Sequence, residues 1–442
     1  MLKKTILSKI LRFIKINVYI ACGWLLVFPV SFVFPKKKNL ILLIGKYSGK
    51  FDDNIKYLYL HIHNEISKLK QRAMEYYFIT GEKDVYNELK SKDFPVLFYP
   101  SYISVLKLLQ TRVVIVDCFT WVNGFKYYLL SRCHLIQLWH GANVKRIQYD
   151  RSKYLKKKRY QEIKETPNGI KKIFIFIKII LLITKANYEN YLTGAFPKYD
   201  LVLSTSKFYT DEVFSKAFRH KEIITAGYPR NDVFFQKNNP HIFLGTDEES
   251  IKKVINLKSE GYKIILFAPT FRDNGGDPLS DNALDIYKLS DYARKNNLTF
   301  VFKFHPNPDY WINISSFPNN IILYNAEKDI YPALKYFDAL VTDYSSIYMD
   351  FLYFNKPVLF FCYDYKKYIN HDRELQFDYN WITPGPKCYT QDELEAEINT
   401  ILNGNIDLFK DKREDIFKVA FDDNKGDASR KIWNFVKANM LN

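Results

Sequence analysis

A chain of 442 residues with 47% hydrophobic and 26% charged residues, 16 glycines and 17 prolines is globular and large enough for two or three domains, which excludes a disordered or collagen-like protein. The net charge of +17 sits at the front: residues 1–200 carry 35 Lys and Arg against 14 Asp and Glu, whereas the other 242 carry 30 against 34. A basic half attracts a polyanion, either nucleic acid or an anionic membrane surface.

In chain order, the first feature is an uncharged run at 16–35, holding Ile20, Trp24, Leu25, Leu26, Val27, Phe28, Phe32 and Phe34. Lys3, Lys4, Lys9, Arg12 and Lys15 precede it and Lys36, Lys37 and Lys38 follow. Its length permits a single span, charge on both sides gives no orientation, and residues 1–38 read as a membrane-associating segment, in-plane or re-entrant. The long apolar run and the basic residues after it argue against a cleaved signal peptide.

Residues 151–172 are crowded with cations (Lys156, Lys157, Lys158, Arg159, Lys171, Lys172) and lead into an apolar stretch at 173–183 that is too short to span. Together they read as a membrane-facing insertion at about 145–190, the alternative being a solvated basic loop before a core helix. Zinc-finger spacing, an RNP-like aromatic box and a helix-turn-helix signature are all missing, so the expected polyanion is an anionic membrane surface and no nucleic acid. Five separated cysteines (Cys22, Cys118, Cys133, Cys362, Cys388) form neither a disulfide framework nor a zinc pattern, and imply a reducing, cytosolic setting.

Short apolar runs then alternate with helical patterns. They fall at 40–44, 76–79, 96–99, 113–116, 135–138, 201–203 and 223–225, and again at 263–267, 299–304, 321–324, 339–341 and 358–361. Continuous runs separated by helices predict parallel strands buried on both faces and joined by right-handed crossovers. Two sets of them predict an α/β protein with two Rossmann-like domains, 39–235 and 246–442, jointed at 236–245.

Ligands of such sheets gather beyond the carboxyl ends of the strands. His140 follows the run at 135–138 and His305 the run at 299–304, one imidazole per half, each able to accept a hydroxyl proton or, when charged, to face a phosphate. Thr342-Asp343-Tyr344-Ser345-Ser346 reads as strand end, turn and helix N-terminus, an arrangement suited to an anion. Arg272 and Arg230 also follow strand-like runs, and a guanidinium binds phosphate oxygens in pairs. With no Walker loop, no GxGxxG and no metal-ligand cluster, a diphosphate would be held by helix ends, hydroxyls and arginines, with no dedicated metal or cofactor.

The ordered set 46–57, Trp139-His140-Gly141, Ser204-Thr205-Ser206, Gly227-Tyr228-Pro229-Arg230-Asn231-Asp232, Ala268-Pro269-Thr270-Phe271-Arg272-Asp273, Lys303-Phe304-His305-Pro306 and Thr342-Asp343-Tyr344-Ser345-Ser346 resembles the CDP-glycerol glycerophosphotransferase family of teichoic acid primases and polymerases. The resemblance runs from about residue 40 to 430. It implies a GT-B fold and transfer of glycerol phosphate from CDP-glycerol to a hydroxyl of a lipid-linked saccharide or polymer acceptor, with release of CMP, in teichoic-acid-like or capsular polymer synthesis. It also implies a peripheral or monotopic enzyme at the cytoplasmic face of the cell membrane.

By the same resemblance, His140 is the general base and His305 a donor-phosphate or transition-state contact. Ser345 and Ser346, with Asp343 and Thr342 in the same loop, form the diphosphate cradle, and Arg272 and Arg230 are phosphate or structural residues. Ala142-Asn143 and the stretch 372–377 depart from the common family wording, which leaves ribitol phosphate or another polyol phosphate open. The competing readings are a GT-B glycosyltransferase that uses a nucleotide sugar and an inactive membrane-binding scaffold.

Overall fold

Thirteen strands fall into two wholly parallel sheets in the computed structural model, which describes residues 14, 17–69, 74–122, 125–166, 169, 172–173, 176–177, 197–236, 239–272, 275–304, 317–402, 407–422 and 426–441. The first sheet holds β1 (Lys37–Ile44), β2 (Glu75–Thr80), β3 (Val96–Phe98), β4 (Thr111–Val116), β5 (His134–Gln137), β6 (Lys198–Ser204) and β7 (Arg219–Thr225), in spatial order 3-2-1-4-5-6-7. The second holds β8 (Lys263–Phe267), β9 (Leu298–Phe302), β10 (Ile321–Leu323), β11 (Ala339–Thr342), β12 (Val358–Phe361) and β13 (Lys387–Cys388), in order 10-9-8-11-12-13.

Each apolar run read from the sequence overlaps a strand, because the central strands are covered on both faces and need apolar residues at every position. Leu40, Ile41, Leu42, Leu43 and Ile44 of β1 are all fully buried. Each such side chain contributes about 1.5–3 kcal/mol. Two-residue β13 carried no apolar run to mark it.

Strand order reverses between β1 and β4 and again between β8 and β11, the two places where a crevice opens beyond the strand ends. Both reversals face one cleft of about 980 Å³. Lys46, Asp53, Cys118 and His140 line it from the first sheet, and Thr270, Lys303, Ser345 and Ser346 from the second.

Buried ion pairs join the halves. Arg230, just past β7, donates from Nη1 to Asp53 at 2.6 Å and from Nε and Nη2 to the two oxygens of Asp350 at 3.1 and 2.7 Å. Lys56, on the helix Asp53–Leu69, reaches Asp329 at 2.8 Å, where the Tyr57 hydroxyl also donates at 2.6 Å. The last helix, Ala428–Met440, lies in the stretch assigned from sequence to the C-terminal half but packs back on Asp53–Leu69. Its first N–H groups, on Ala428 and Ser429, donate to Asp232 at 3.0 and 2.8 Å.

The N-terminal apolar run is helical over 17–30 and then turns, and no helix among the described residues is long and apolar enough to cross a membrane. Ile20 and Gly23 face inward, and a methyl on Gly23 would come within 2.3 Å of the Tyr128 ring. Trp24, Leu25, Leu26, Phe28, Val30, Phe32 and Val33 are exposed. The basic stretch forms the helix Gln148–Glu165, in which no residue is buried, with exposed Ile173, Phe176 and Ile177 beyond it; 178–196 lie outside the described residues.

Arg230→Met strands Asp53 and Asp350 without their guanidinium. It is expected to destabilise the protein by about 3–5 kcal/mol, read from urea unfolding, while exposed Lys207→Met leaves the unfolding midpoint at the parent's.

Candidate active site

The end of β5 aims an imidazole at the cleft. Trp139 takes a left-handed backbone (φ 59°), held by its N–H on the Gln137 side chain (2.9 Å) and its carbonyl on Asn54 (2.7 Å). The chain therefore turns sharply and presents His140. Ring Nδ1 lies 3.1 Å from the Asp117 carbonyl, which can only accept, so Nδ1 carries the hydrogen and Nε2 keeps its lone pair. Burial lowers the His140 pKa to about 4; Asp53 opposes this, while Lys46 and Arg230 add to it. The imidazole is thus neutral at ordinary pH, with the Nε2 lone pair free to accept a proton.

Gly141 brings this base against the opposite half. A methyl there would sit 2.8 Å from the Ser346 Oγ, so an alanine would force that hydroxyl to turn away.

Beneath His140 lies a group of charges from the loop after β1 and the end of β4. Asp53 receives Lys46 at 3.0 Å, Arg230 at 2.6 Å and the Asn54 N–H at 2.8 Å. Burial would raise its pKa, but Arg230 and Lys46 outweigh that and hold it well below the usual carboxylate range. Burial likewise works against the Lys46 charge, and Asp52, Asp53 and Asp117 more than offset it, raising its pKa well above normal. Asp117 is the reverse case: burial and then Asp53 push it far up, and neither oxygen finds a hydrogen-bond partner among the described residues.

On the other wall, Ser345 and Ser346 line the cleft at the start of the helix Ile347–Phe351. Ser346 is the N-cap residue yet makes no side-chain cap bond, which leaves its hydroxyl for a ligand.

Asp343 and Thr342 of that motif point inward. Asp343 accepts the N–H groups of Thr270 (2.8 Å) and Tyr344 (2.6 Å), and the Thr342 hydroxyl donates to the Ala268 carbonyl at 2.7 Å. Arg272 donates to Asp343 at 2.6 Å and to both oxygens of Asp364 at 2.9 and 3.0 Å, fully buried among Tyr344, Tyr363 and Tyr368. Both arginines expected at a phosphate therefore hold carboxylates behind the wall, and Asp343 and Thr342 lock the two strand-end loops together. His305 lies outside the described residues.

The chain just after Ala142-Asn143 pairs with the other departing stretch, 372–377, beside the cleft. The Gln376 N–H donates to the Val144 carbonyl (2.8 Å), the Arg146 N–H to the Glu374 carbonyl (2.9 Å), and the Arg151 side chain to the Glu374 carboxylate (3.0 Å). Asn143 lines the cleft beside them.

Sequence reasoning did not single out Lys46, Asp53, Asp117 or Lys303. Asp117 and Lys303 directly follow β4 and β9, and Lys46 and Asp53 sit in the turn after β1, so the rule that found His140 points to them as well.

This chain is 30% identical over 254 residues to a teichoic acid poly(glycerol phosphate) polymerase of Bacillus spizizenii, which covers 56% of this chain and 61% of that protein. It is 28% identical over 276 residues to the polymerase of that description from Bacillus subtilis, covering 61% of this chain and 33% of that protein. The match thus spans less than two thirds of the length of either polymerase. A teichoic acid glycerol-phosphate transferase of Staphylococcus aureus is 25% identical over 376 residues, 81% of this chain and 82% of that protein. The fold is that of the wall teichoic acid polymerase TagF (TM-score 0.67, 19% identity, 99% of this chain and 97% of that one). Residues 26–438 match the CDP-Glycerol:Poly(glycerophosphate) glycerophosphotransferase family, and the chain belongs to it.

Proposed function

We propose that this chain transfers glycerol phosphate, or a related polyol phosphate, from a CDP-linked donor to a hydroxyl of a lipid-linked acceptor in the synthesis of a teichoic-acid-like surface polymer. The observation that carries the reading is His140: a neutral imidazole with Nδ1 fixed on a carbonyl and the Nε2 lone pair free, lining one cleft with Ser345 and Ser346 and followed by a glycine whose methyl would crowd Ser346. A base directly opposite an anion-binding turn is what attack by an alcohol on a diphosphate requires.

In the transfer, Nε2 takes the proton of the acceptor hydroxyl as its oxygen attacks the phosphorus that bears the polyol. The bond from that phosphorus to the bridging oxygen breaks, and CMP leaves with the electron pair. Asp53, held ionised by Arg230 and Lys46, supplies the negative charge that offsets the imidazolium. The Ser345 and Ser346 hydroxyls and the N–H groups around them meet the phosphate oxygens.

The exposed apolar side chains at 18–33 and the basic helix Gln148–Glu165 fit a surface that rests on an anionic bilayer without crossing it. The first turns of that helix line the cleft, which brings a lipid-held acceptor to His140.

Acceptor-dependent CMP release, compared for CDP-glycerol and CDP-ribitol, tests the reaction and names the donor; a nucleoside diphosphate product would point to glycosyl transfer instead. His140→Ala is expected to slow release by about 10²–10⁴-fold while melting close to the parent. The neutral imidazole is the active form and its pKa is lowered to about 4, so kcat/KM is expected to show no acid limb near 6.5, its acid limb lying near 4. Trp24→Glu with Leu25→Glu is expected to weaken cosedimentation with phosphatidylglycerol vesicles by about 10-fold or more, leaving transfer to a detergent-free, water-soluble acceptor analogue unchanged.

A further inference from the structure

The donor's phosphates need a cation, and both arginines offered by the sequence are engaged with carboxylates. At the carboxyl ends of β8, β9 and β11, the strands around the second reversal of strand order, the described cleft-lining residues include one cationic side chain, Lys303. Its N–H donates to the Phe267 carbonyl at 2.9 Å, which continues the β9–β8 ladder and fixes the residue in place. Among the described residues its ammonium donates only to the Ala326 carbonyl, so two of its three N–H bonds remain for a ligand.

Among the described residues, the surroundings do not neutralise it. Asp52 and Asp329 face it, but Asp52 pairs with Lys46 at 3.4 Å, and Asp329 with Lys56 at 2.8 Å and the Tyr57 hydroxyl. Lys46 and Lys50 repel it, and the Tyr324 ring lies 5.7 Å away. A lysine held in a cleft without a counter-ion is costly unless an anion arrives with the substrate.

We propose that Lys303 is the cation that meets the donor's diphosphate, standing beside Thr270 and Ser345–Ser346 at the strand ends of the second sheet. The assignment rests on the CDP-linked donor proposed above. Burial lowers the Lys303 pKa to about 7, Asp52 opposing and Lys46 adding to the effect, so much of the side chain is neutral in the free protein at slightly alkaline pH. A diphosphate beside it favours the ammonium, and donor binding draws a proton from solvent.

Isothermal titration with CDP-glycerol and no acceptor, at about pH 8 in two buffers of different ionisation enthalpy, reads affinity and proton uptake together. The parent protein is expected to take up close to one proton at pH 8 and almost none at pH 6. Lys303→Met removes the cation and is expected to bind about 10- to 100-fold more weakly, without uptake. Lys303→Arg is always charged and is expected to keep most of the affinity while losing the uptake. Parent-like affinity in Lys303→Met, or undiminished uptake in Lys303→Arg, would overturn the assignment of Lys303 alone. No binding of either CDP-glycerol or CDP-ribitol by the parent would instead overturn the donor reading, and the role of Lys303 with it.

Discussion

Arg230 binds a carboxylate from each half of the protein and also, at 2.9 Å, the backbone carbonyl of His140. The guanidinium is fully buried, so its charge is tolerable only because Asp53 and Asp350 surround it. One group therefore sets how the two sheets face each other, keeps Asp53 ionised and positions the peptide that carries the base. Those tasks cannot be separated by geometry: a shift between the halves large enough to break the Asp350 pair would also move His140 away from Ser346. Gly141 lies close to Ser346 of the other half, and a methyl there would crowd its hydroxyl at 2.8 Å, while the arginine beside them supplies attraction between the halves.

The charges around the base form a graded set. Asp53 is held ionised, Asp117 is driven toward its protonated form, Lys46 is kept charged, and His140 is kept neutral. A base this weak in the free protein would gain little from accepting a hydroxyl proton on its own. The balance changes when phosphates enter the cleft, because their negative charge opposes the effect of Lys46 and Arg230 on the imidazole. In the proposed transfer, donor binding would thus strengthen the base, tying proton abstraction to the presence of something to attack.

Much of this could be read from residues alone. The strand runs were legible because parallel strands covered on both faces must be apolar at every position, and the cleft positions of His140, Ser345 and Ser346 were legible because they lie in the loops just beyond such runs. Arg230 and Arg272 look from sequence like their neighbours in the cleft; what turns them away is the presence of Asp350 and Asp364, 120 and 92 residues further along. A local motif records which residue stands at a strand end but not which distant carboxylate claims it. The return of Ala428–Met440 to the first half was hidden for the same reason, since its cap is Asp232, 196 residues before Ala428.

The division of labour between arginine and lysine follows from their chemistry. An arginine cannot shed its proton, so in a dry interior it must be matched permanently by carboxylates, which suits a fixed joint between domains. A binding site is empty for part of every turnover, and a permanently charged group there would either recruit a protein carboxylate and be lost to the ligand or remain as an uncompensated cost. Lysine avoids both outcomes: it can relinquish its proton while the cleft is empty and regain it against an incoming phosphate. On that reasoning the buried arginines belong behind the cleft wall and the lysine belongs on its surface, as Arg230, Arg272 and Lys303 are arranged here.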